Sequence, residues 1–433
     1  MDRGSHMQHE FSRTPRGSIP RSVFNRSHTH KTTFDAGLLI PIMVDEAVPG
    51  DIMRCRIAAI ARLATPLFPV MDNAYLDIHC WSAPKRLLWP NFKKFLGEQT
   101  DPGDSIDYTV PVVNGTYQVV ESSLAHYMGL PIDLDFSVTT GISALPWRAY
   151  TMIYDEHYRD QNLIDSVSKT FGDGPDSSFD AAGSFHLTSG VQRRGKRFDY
   201  FTQALPWPQK GDSVDLPLGT RADVVGIGLN VTDGGSAAGT IATRQTGGPP
   251  TVNMDNTWVS GDPQLLFQAE TGNTSYPDIY ADLTNATAAT INQLRQSLAI
   301  QQFLELAARG GTRFAEIIES FFGVEFQDVR YRPEYLGGGT VPVNITPIAN
   351  TSDTTSYEQG ELAGFGVAAG SGIGFTKAFD EWAYIIVLAS VRADLTYQQG
   401  VDKMWTRSTR YDFYWRQFAH IGEQAVTQSG NLA

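Results

Sequence analysis

Two cysteines, Cys55 and Cys80, are all that the 433 residues contain, so no disulfide framework holds this chain. Both lie in apolar, strand-like stretches, where reduced thiols behave as small buried hydrophobes. No stretch approaches the ~20 consecutive apolar residues that a bilayer span requires. The opening MDRGSHMQHE has no apolar core of the kind a secretory signal carries. Charge is scarce, at 19% of residues, and positive charge scarcer: 34 Lys and Arg face 47 Asp and Glu, for a net −13. That balance excludes a general nucleic-acid-coating surface and leaves room only for a local one.

The motifs of catalysis are missing too. There is no HExxH, no Cys/His ligand spacing around the nine His, and no GxSxG elbow. The pair His28 and His30 stands without further ligands in sequence, so no metal site is expected. Asp155 and Glu156 are adjacent on a helix, where their side chains diverge, a poor geometry for paired acid–base work. Gly190, Gly195 and Lys196 imitate a phosphate-binding loop, but Arg197 stands where Ser or Thr must hold magnesium. The basic cluster Arg193, Arg194, Lys196 and Arg197 is read instead as touching phosphates or a neighbouring subunit. Gly364, Gly366, Gly370, Gly372 and Gly374 have the wrong spacing for a dinucleotide fingerprint and read as a flexible loop.

What the chain has in quantity is turn residues, 40 Gly and 23 Pro, among short alternating segments. Leu38 to Ile42 is an apolar run, followed by a turn at Pro49, Gly50 and Asp51. From Ile52 to Leu67, Arg54 and Arg56 alternate with Met53, Cys55 and Ile57. In the next segment Tyr75, Asp77 and His79 take one face, and Leu76, Ile78 and Cys80 the other. Later strands are predicted at Val341 to Ala349 and at Ala383 to Tyr397, the second passing from continuous apolar to alternating. Short helices interrupt this pattern. Pro90 to Gly97 is one; Ser122 or Ser123 opens another that Gly129 stops; Pro146 opens a third with Trp147, Tyr150, Tyr154, His157 and Gln161 on one core-facing stripe. Ile291, Leu294 and Leu298 begin a helix ended by Gly310-Gly311. The next carries Phe314, Ile317, Ile318 and Phe321 at helical spacing, which predicts a core-facing stripe stopped by Gly323. This is a turn-rich β protein with inserted helices, of the sandwich or jelly-roll kind.

Two regions stand apart. Residues 1–33 have no hydrophobic period and carry six bases against two acids, +4, which leaves −17 for the remainder. Such basic arms contact nucleic acid or remain solvated. Residues 220–290 shift to Gly, Thr, Asn and Ala, with seven acids, two Arg and no Lys. That segment reads as a surface insertion with short strands of its own, such as Val224 to Val231.

Several ordered blocks carry a resemblance: LLIPIMVDEAVPGD, TPLFPVMDNAYLDIHCW and PKRLLWPNFKKFLG near the start, then PWRAYTMIYDEHYRDQNL and FDYFTQALPWPQKG. The densest is NATAATINQLRQSLAIQQFLELAARGGTRFAEIIESFFGV with RPEYLGGG, and the last is GVDKMWTRSTRYDFYWRQFAHIGEQAV. From Asn25 to Val426 the chain resembles the major capsid proteins of small single-stranded DNA phages, the microviruses, and of their gokushovirus branch in particular. The resemblance implies an eight-stranded antiparallel jelly roll with long loops, short inserted helices and a large surface insertion. It divides the chain into an arm at 1–33, a first part of the barrel at 34–219, the insertion at 220–290 forming a threefold protrusion, and a helix pair with the remaining barrel at 291–433.

It also implies a non-enzymatic protein of the virion, built in the host cytoplasm, with no cofactor. Its partners would be further copies of itself, packaged single-stranded DNA, a small basic packaging protein and a host receptor. Arg13, Arg16, Arg21, Arg26 and Lys31 are the expected DNA-contacting residues. Trp258, Leu265, Leu266 and Phe267 are the apolar residues expected at the threefold or host contact. Members usually continue past HIGEQAV, so further chain is expected after Ala433. The rival class is a carbohydrate-binding or hydrolytic β-sandwich, which would display an aromatic sugar platform; Trp81, Trp89, Trp147 and Trp207 sit in packing contexts instead.

Overall fold

A computed structural model describes residues 20–64, 66, 70–114, 118–135, 141–167, 171–177, 190–214, 223–225, 269–270, 273–277, 280–282, 291–324, 331–351, 359–397, 400–418 and 426. Two compact units divide the chain: 1–203 with 328–400 and 431–433, and 204–327 with 401–430.

Among the described residues six strands form the large sheet of the first unit: β1 (Ile40–Ala47), β2 (Ile52–Arg62), β3 (Ala74–Pro84), β4 (Glu334–Ala349), β5 (Leu362–Ala378) and β6 (Ala383–Ala393). All pairings are antiparallel, in the order β1-β6-β3-β4-β5-β2. The strands β1 and β2 therefore end the order at opposite sides, although only the turn between Ala47 and Ile52 joins them. In a flat sheet five strand spacings would separate them by ~24 Å. The linking chain reaches at most ~19 Å at ~3.8 Å per Cα step. The sheet must curl to bring its ends together. Two hydrogen bonds pin this closure: Gly50 N–H donates to Phe379 O at 2.7 Å and Phe379 N–H to Asp51 O at 2.8 Å, tying the β1–β2 turn to the β5–β6 turn. On the other side of the order β4 changes partner. Its Glu334 to Val343 portion pairs with β3, and Asn344 to Ala349 pairs with β5, so the sheet turns a corner within one strand.

Curling creates an inside and an outside. Leu76, Ile78 and Cys80 of β3 point inward with Ile40, Val341, Ile373, Phe375, Ile385 and Val387. On the outer side Trp81 of β3 and Ile386 and Leu388 of β6 meet the helix α4 (Leu145–His157) through Trp147, Tyr150, Ile153 and Tyr154. Strand β6 is thus buried on both faces, which is why AYIIVLAS is apolar without alternation. The aromatic stripe of α4 is core, as its spacing predicts, though the helix ends at His157, before Gln161. Three short helices cover the same side: α1 (Lys85–Leu88), α2 (Phe92–Phe95) and α3 (Leu124–Tyr127). The Ser123 side chain caps α3 by accepting from His126 N–H.

The glycine series in 364–374 is no loop. It lies inside β5, a strand of 17 residues. At Gly370 and Gly374 neighbouring strands approach too closely for a side chain: a Cβ on Gly370 would strike the Val341 side chain, and one on Gly374 the Cys55 carbonyl. Gly374 also has φ +152°, a conformation that side-chain-bearing residues avoid.

In the second unit α5 (Ile291–Arg309) and α6 (Phe314–Phe322) form where predicted, and Gly323 closes α6 in the left-handed conformation. The stripe on α6 is only half-buried: Ile317, Ile318 and Phe321 are partly covered. No residue of α6 is buried, and Phe314 is 67% exposed. The helix packs on α5, with Phe303 and Phe321 rings 4.7 Å apart. Of the strand predicted at Val224 to Val231, residues 223–225 pair antiparallel with 280–282; the rest lies outside the described residues.

Gly374→Ala should lower unfolding free energy by at least about 2 kcal/mol, because it adds both left-handed strain and a backbone clash. Equilibrium urea unfolding, with a wild-type midpoint retained, would contradict this account of β5.

Candidate assembly and nucleic-acid surfaces

The strongest polar constellation is turned inward. Asp77 on β3, 3% exposed, sits between two guanidinium groups: Arg194 Nη1 at 2.7 Å and Arg392 Nη2 at 3.0 Å. Thr340 of β4 donates its hydroxyl to the other Asp77 oxygen at 2.7 Å, and Arg194 also donates to Ser390 Oγ on β6 at 2.8 Å. Burial pushes the Asp77 carboxyl up, but the Thr340 hydroxyl and the two arginines outweigh it and hold it below the usual carboxylate range. Next to it, burial and the nearby Arg194 charge push His79 down to about 4, so the ring is neutral at pH 7 and shares a 2.8 Å hydrogen bond with Tyr158 Oη. Trp81 Nε1 donates to the same hydroxyl at 2.8 Å, and the His157 ring stacks on Trp81 with centroids 4.0 Å apart. Burial raises the Tyr158 phenol and drives the Cys80 thiol up to about 12. With phenol and thiol protonated and the carboxylate neutralised, this cluster holds strands β3, β4 and β6 to the 190–197 segment and offers no activated nucleophile.

That segment corrects the reading of the basic cluster. Leu39 N–H donates to Gln192 O and Arg194 N–H to Gly37 O, both at 2.9 Å, so 192–194 extends the edge at β1 instead of cradling a phosphate. Tyr150 secures it by donating to Leu39 O at 2.7 Å and accepting from Gln192 N–H at 2.9 Å. Arg194 is spent on Asp77, and Arg197 on Asp394 at 2.8 Å and on the Tyr75 ring. Only Arg193 and Lys196 of the four remain exposed.

Of the predicted DNA-contacting arm residues, Arg13 and Arg16 lie outside the described residues, as do Trp258, Leu265, Leu266 and Phe267 of the insertion. Arg21, Arg26 and Lys31 are exposed. The described part of the arm runs along the first unit: Arg26 pairs with Asp45 of β1 at 2.7 Å, and Tyr127 Oη donates to Thr33 O at 2.8 Å. The structure does not gather these three bases into one site. It does bring Arg21 beside Gly50, at the entrance to β2, whose Arg54, Arg56 and Arg62 share one exposed face. The alternation of Arg54 and Arg56 was legible in the sequence; their grouping with Arg62 and Arg21 was not.

Among its described residues the second unit exposes several large aromatic side chains. Phe303, Phe314 and Phe322 of the helix pair are exposed, and so are Trp405 (74%), Tyr411, Phe413 and Tyr414 (80%) in the segment that follows α7 (Lys403–Thr406) or lies within it. Solvated monomers rarely display so many large apolar side chains together. Among the described residues no group of three His, Cys, Asp or Glu is placed to hold a metal ion, and no helix is long and apolar enough to cross a membrane.

A curled antiparallel sheet whose buried polar groups hold its own strands together, with large aromatic side chains exposed, has the build of a structural protein that binds other proteins. The family profile described as "Capsid protein (F protein)" matches residues 12–430, and the chain belongs to that family. It is 41% identical to the capsid protein VP1 of Bdellovibrio phage phiMH2K over 430 residues, covering 97% of this chain and 78% of that protein. It is 35% identical to capsid protein VP1 of Chlamydia phage 1, with 97% and 79% covered, and 33% identical to capsid protein VP1 of Spiroplasma virus 4, with 96% and 78% covered. The microvirus capsid resemblance in the sequence is therefore borne out, and the sugar-binding or hydrolytic alternative falls.

Asp77→Asn should cost about 3–5 kcal/mol, because it leaves two largely buried guanidinium groups without their counter-charge. The sign of the pH dependence is fixed as well. A depressed carboxyl stabilises above its unfolded value near ~4 and loses that contribution as pH falls through the folded value. Urea unfolding between neutral and acid pH should show that loss in the wild type and a flatter profile in Asp77→Asn.

Proposed function

We propose that copies of this chain close into a small icosahedral shell around circular single-stranded DNA of a bacteriophage, as a major capsid protein of the microvirus type. The observation that carries this reading is the exposure of Trp405, Tyr411, Phe413 and Tyr414 in the second unit, side chains that neighbouring copies would bury under closed point symmetry. The body of each subunit is an eight-stranded jelly roll. The order β1-β6-β3-β4, turning through β4 into β4-β5-β2, supports this, since short links from β1 to β2 and from β5 to β6 cross between the two faces. Residues 34–219 and 291–433 together supply this body and the helix pair. Residues 1–33 reach the enclosed DNA through Arg13, Arg16, Arg21, Arg26 and Lys31, aided by a separate small basic protein, because so few charges give weak binding.

Trp405→Ala with Tyr414→Ala tests the assembly surface. Both side chains are exposed in the single chain, so unfolding free energy should stay within about 0.5 kcal/mol of wild type. Sedimentation and negative-stain microscopy should find shells for wild type and none for the double variant. Shells at wild-type yield from the double variant would rule this surface out.

The insertion, residues 220–290, belongs on the outer surface near the threefold axes, where Trp258, Leu265, Leu266 and Phe267 of three copies bury one another and meet a host receptor. Its support is compositional: five net negative charges and no Lys suit an outer face and not a DNA-facing one. Replacing 220–290 by a Gly/Ser linker should leave a folded barrel. Phage carrying that change should lose adsorption to host cells; normal adsorption would remove the receptor role.

A further inference from the structure

We propose that the outward face of β2 and β5 is the surface that grips the enclosed single-stranded DNA by its phosphates. This rests on the shell reading and names where in the fold the nucleic acid is held. The first observation is charge segregation. The 11 residues of β2 and the 17 of β5 include no Asp or Glu, in a chain with 47 acids. The second is register. Arg54, Arg56 and Arg62 are all of one parity, so all three leave the same face, while Met53, Cys55 and Ile57 turn to the core. Side chains two apart on a strand are ~7 Å apart, and the row from Arg54 to Arg62 spans ~27 Å, long enough to follow several nucleotides. None of the three has an acidic partner among the described residues, in contrast to Arg194, Arg197 and Arg26.

The third observation comes from the arm. Arg21 lies beside Gly50, so the arm delivers a fourth guanidinium to the end of the row where β2 begins. Between the charges the face is apolar: Ile60 is 85% exposed, and the Arg62 guanidinium lies over the Phe365 ring, 5.1 Å from its centroid. Phosphate-binding cations interleaved with flat apolar groups are what a sequence-tolerant single-strand surface requires. Charges on an edge strand also discourage strand pairing between chains. That role would require no common face and no fourth base from the arm.

The test is salt-dependent binding of fluorescein-labelled oligothymidylate to the full chain, read by anisotropy. Four phosphate contacts predict a log–log salt slope near about −3, and R54Q/R56Q/R62Q should flatten it by about 2. The charge-keeping variant R54K/R56K/R62K should retain the slope. So should R193Q/K196Q, which removes exposed bases elsewhere. An unchanged slope in R54Q/R56Q/R62Q overturns the proposal. An equal flattening in R193Q/K196Q overturns it too, because binding would then follow total charge. If R54Q/R56Q/R62Q associates into aggregates with its slope intact, the row guards a sheet edge and the proposal also fails. Shell formation by wild-type protein is scored separately by sedimentation, so failure of the shell reading and failure of this surface are distinguishable. If shells form, those of R54Q/R56Q/R62Q should protect less DNA from nuclease than wild-type shells; equal protection counts against the proposal.

Discussion

Closure of the sheet depends on one constraint: a turn of a few residues joins the two strands at opposite ends of its order. Because the chain between Ala47 and Ile52 cannot span a flat six-stranded sheet, β1 and β2 drag the edges toward each other. The paired hydrogen bonds between Gly50, Asp51 and Phe379 then hold the two turns at that corner. Everything else accommodates the resulting tightness. Strand β5 comes so close to Val341 of β4 and to the Cys55 carbonyl of β2 that side chains are removed at Gly370 and Gly374, and β6 becomes apolar on both faces. The polar groups that the curl buries are satisfied together at Asp77, where three strands and the 190–197 segment share one carboxylate.

The same closure sorts the charge. A carboxylate-rich chain would ordinarily scatter acids over every face, yet β2 and β5 carry none. The carboxylates that approach bases elsewhere are paired: Asp45 with Arg26, Asp394 with Arg197, Glu381 with Arg86. Among the described residues Arg54, Arg56 and Arg62 have no acidic partner and share one face of the curled sheet. Exposed ion pairs contribute little stability in water, so a row of bases kept clear of acids is better explained by what it meets than by what it stabilises.

How much of this was legible in the sequence follows from the range of each physical signal. Local signals read well: the Ser123 cap, the glycine stop of α6, the doubly buried run of β6 and the two-faced alternation of β3 all depend on neighbours a few residues away. Signals that need a distant partner did not. The glycines of β5 looked like a loop because the reason for them, Val341 and the Cys55 carbonyl, lies on other strands. Arg194 looked like a free base because its counter-ion, Asp77, is more than a hundred positions away. Nothing local announces that Arg21 of the arm comes to rest at Gly50.

The stripe on α6 exposes a different limit, and it bears on what kind of protein this is. Helical spacing of Phe314, Ile317, Ile318 and Phe321 reports that one face avoids water; it does not say which molecule supplies the cover. In an enzyme or a monomeric binding module the cover is the chain's own core, and the periodicity is read correctly. In a shell subunit part of the hydrophobic free energy is withheld from folding and released only when copies meet, so an apolar period in sequence becomes an exposed face in the single chain. The half-buried Ile317, Ile318 and Phe321 of α6 and the buried Trp147 and Tyr150 of α4 show two degrees of cover for the same pattern in one sequence. The division also explains how the subunit stays folded before assembly. The two buried core clusters lie in the curled sheet and α4 of the first unit, apart from the exposed aromatic side chains of 405–414 in sequence.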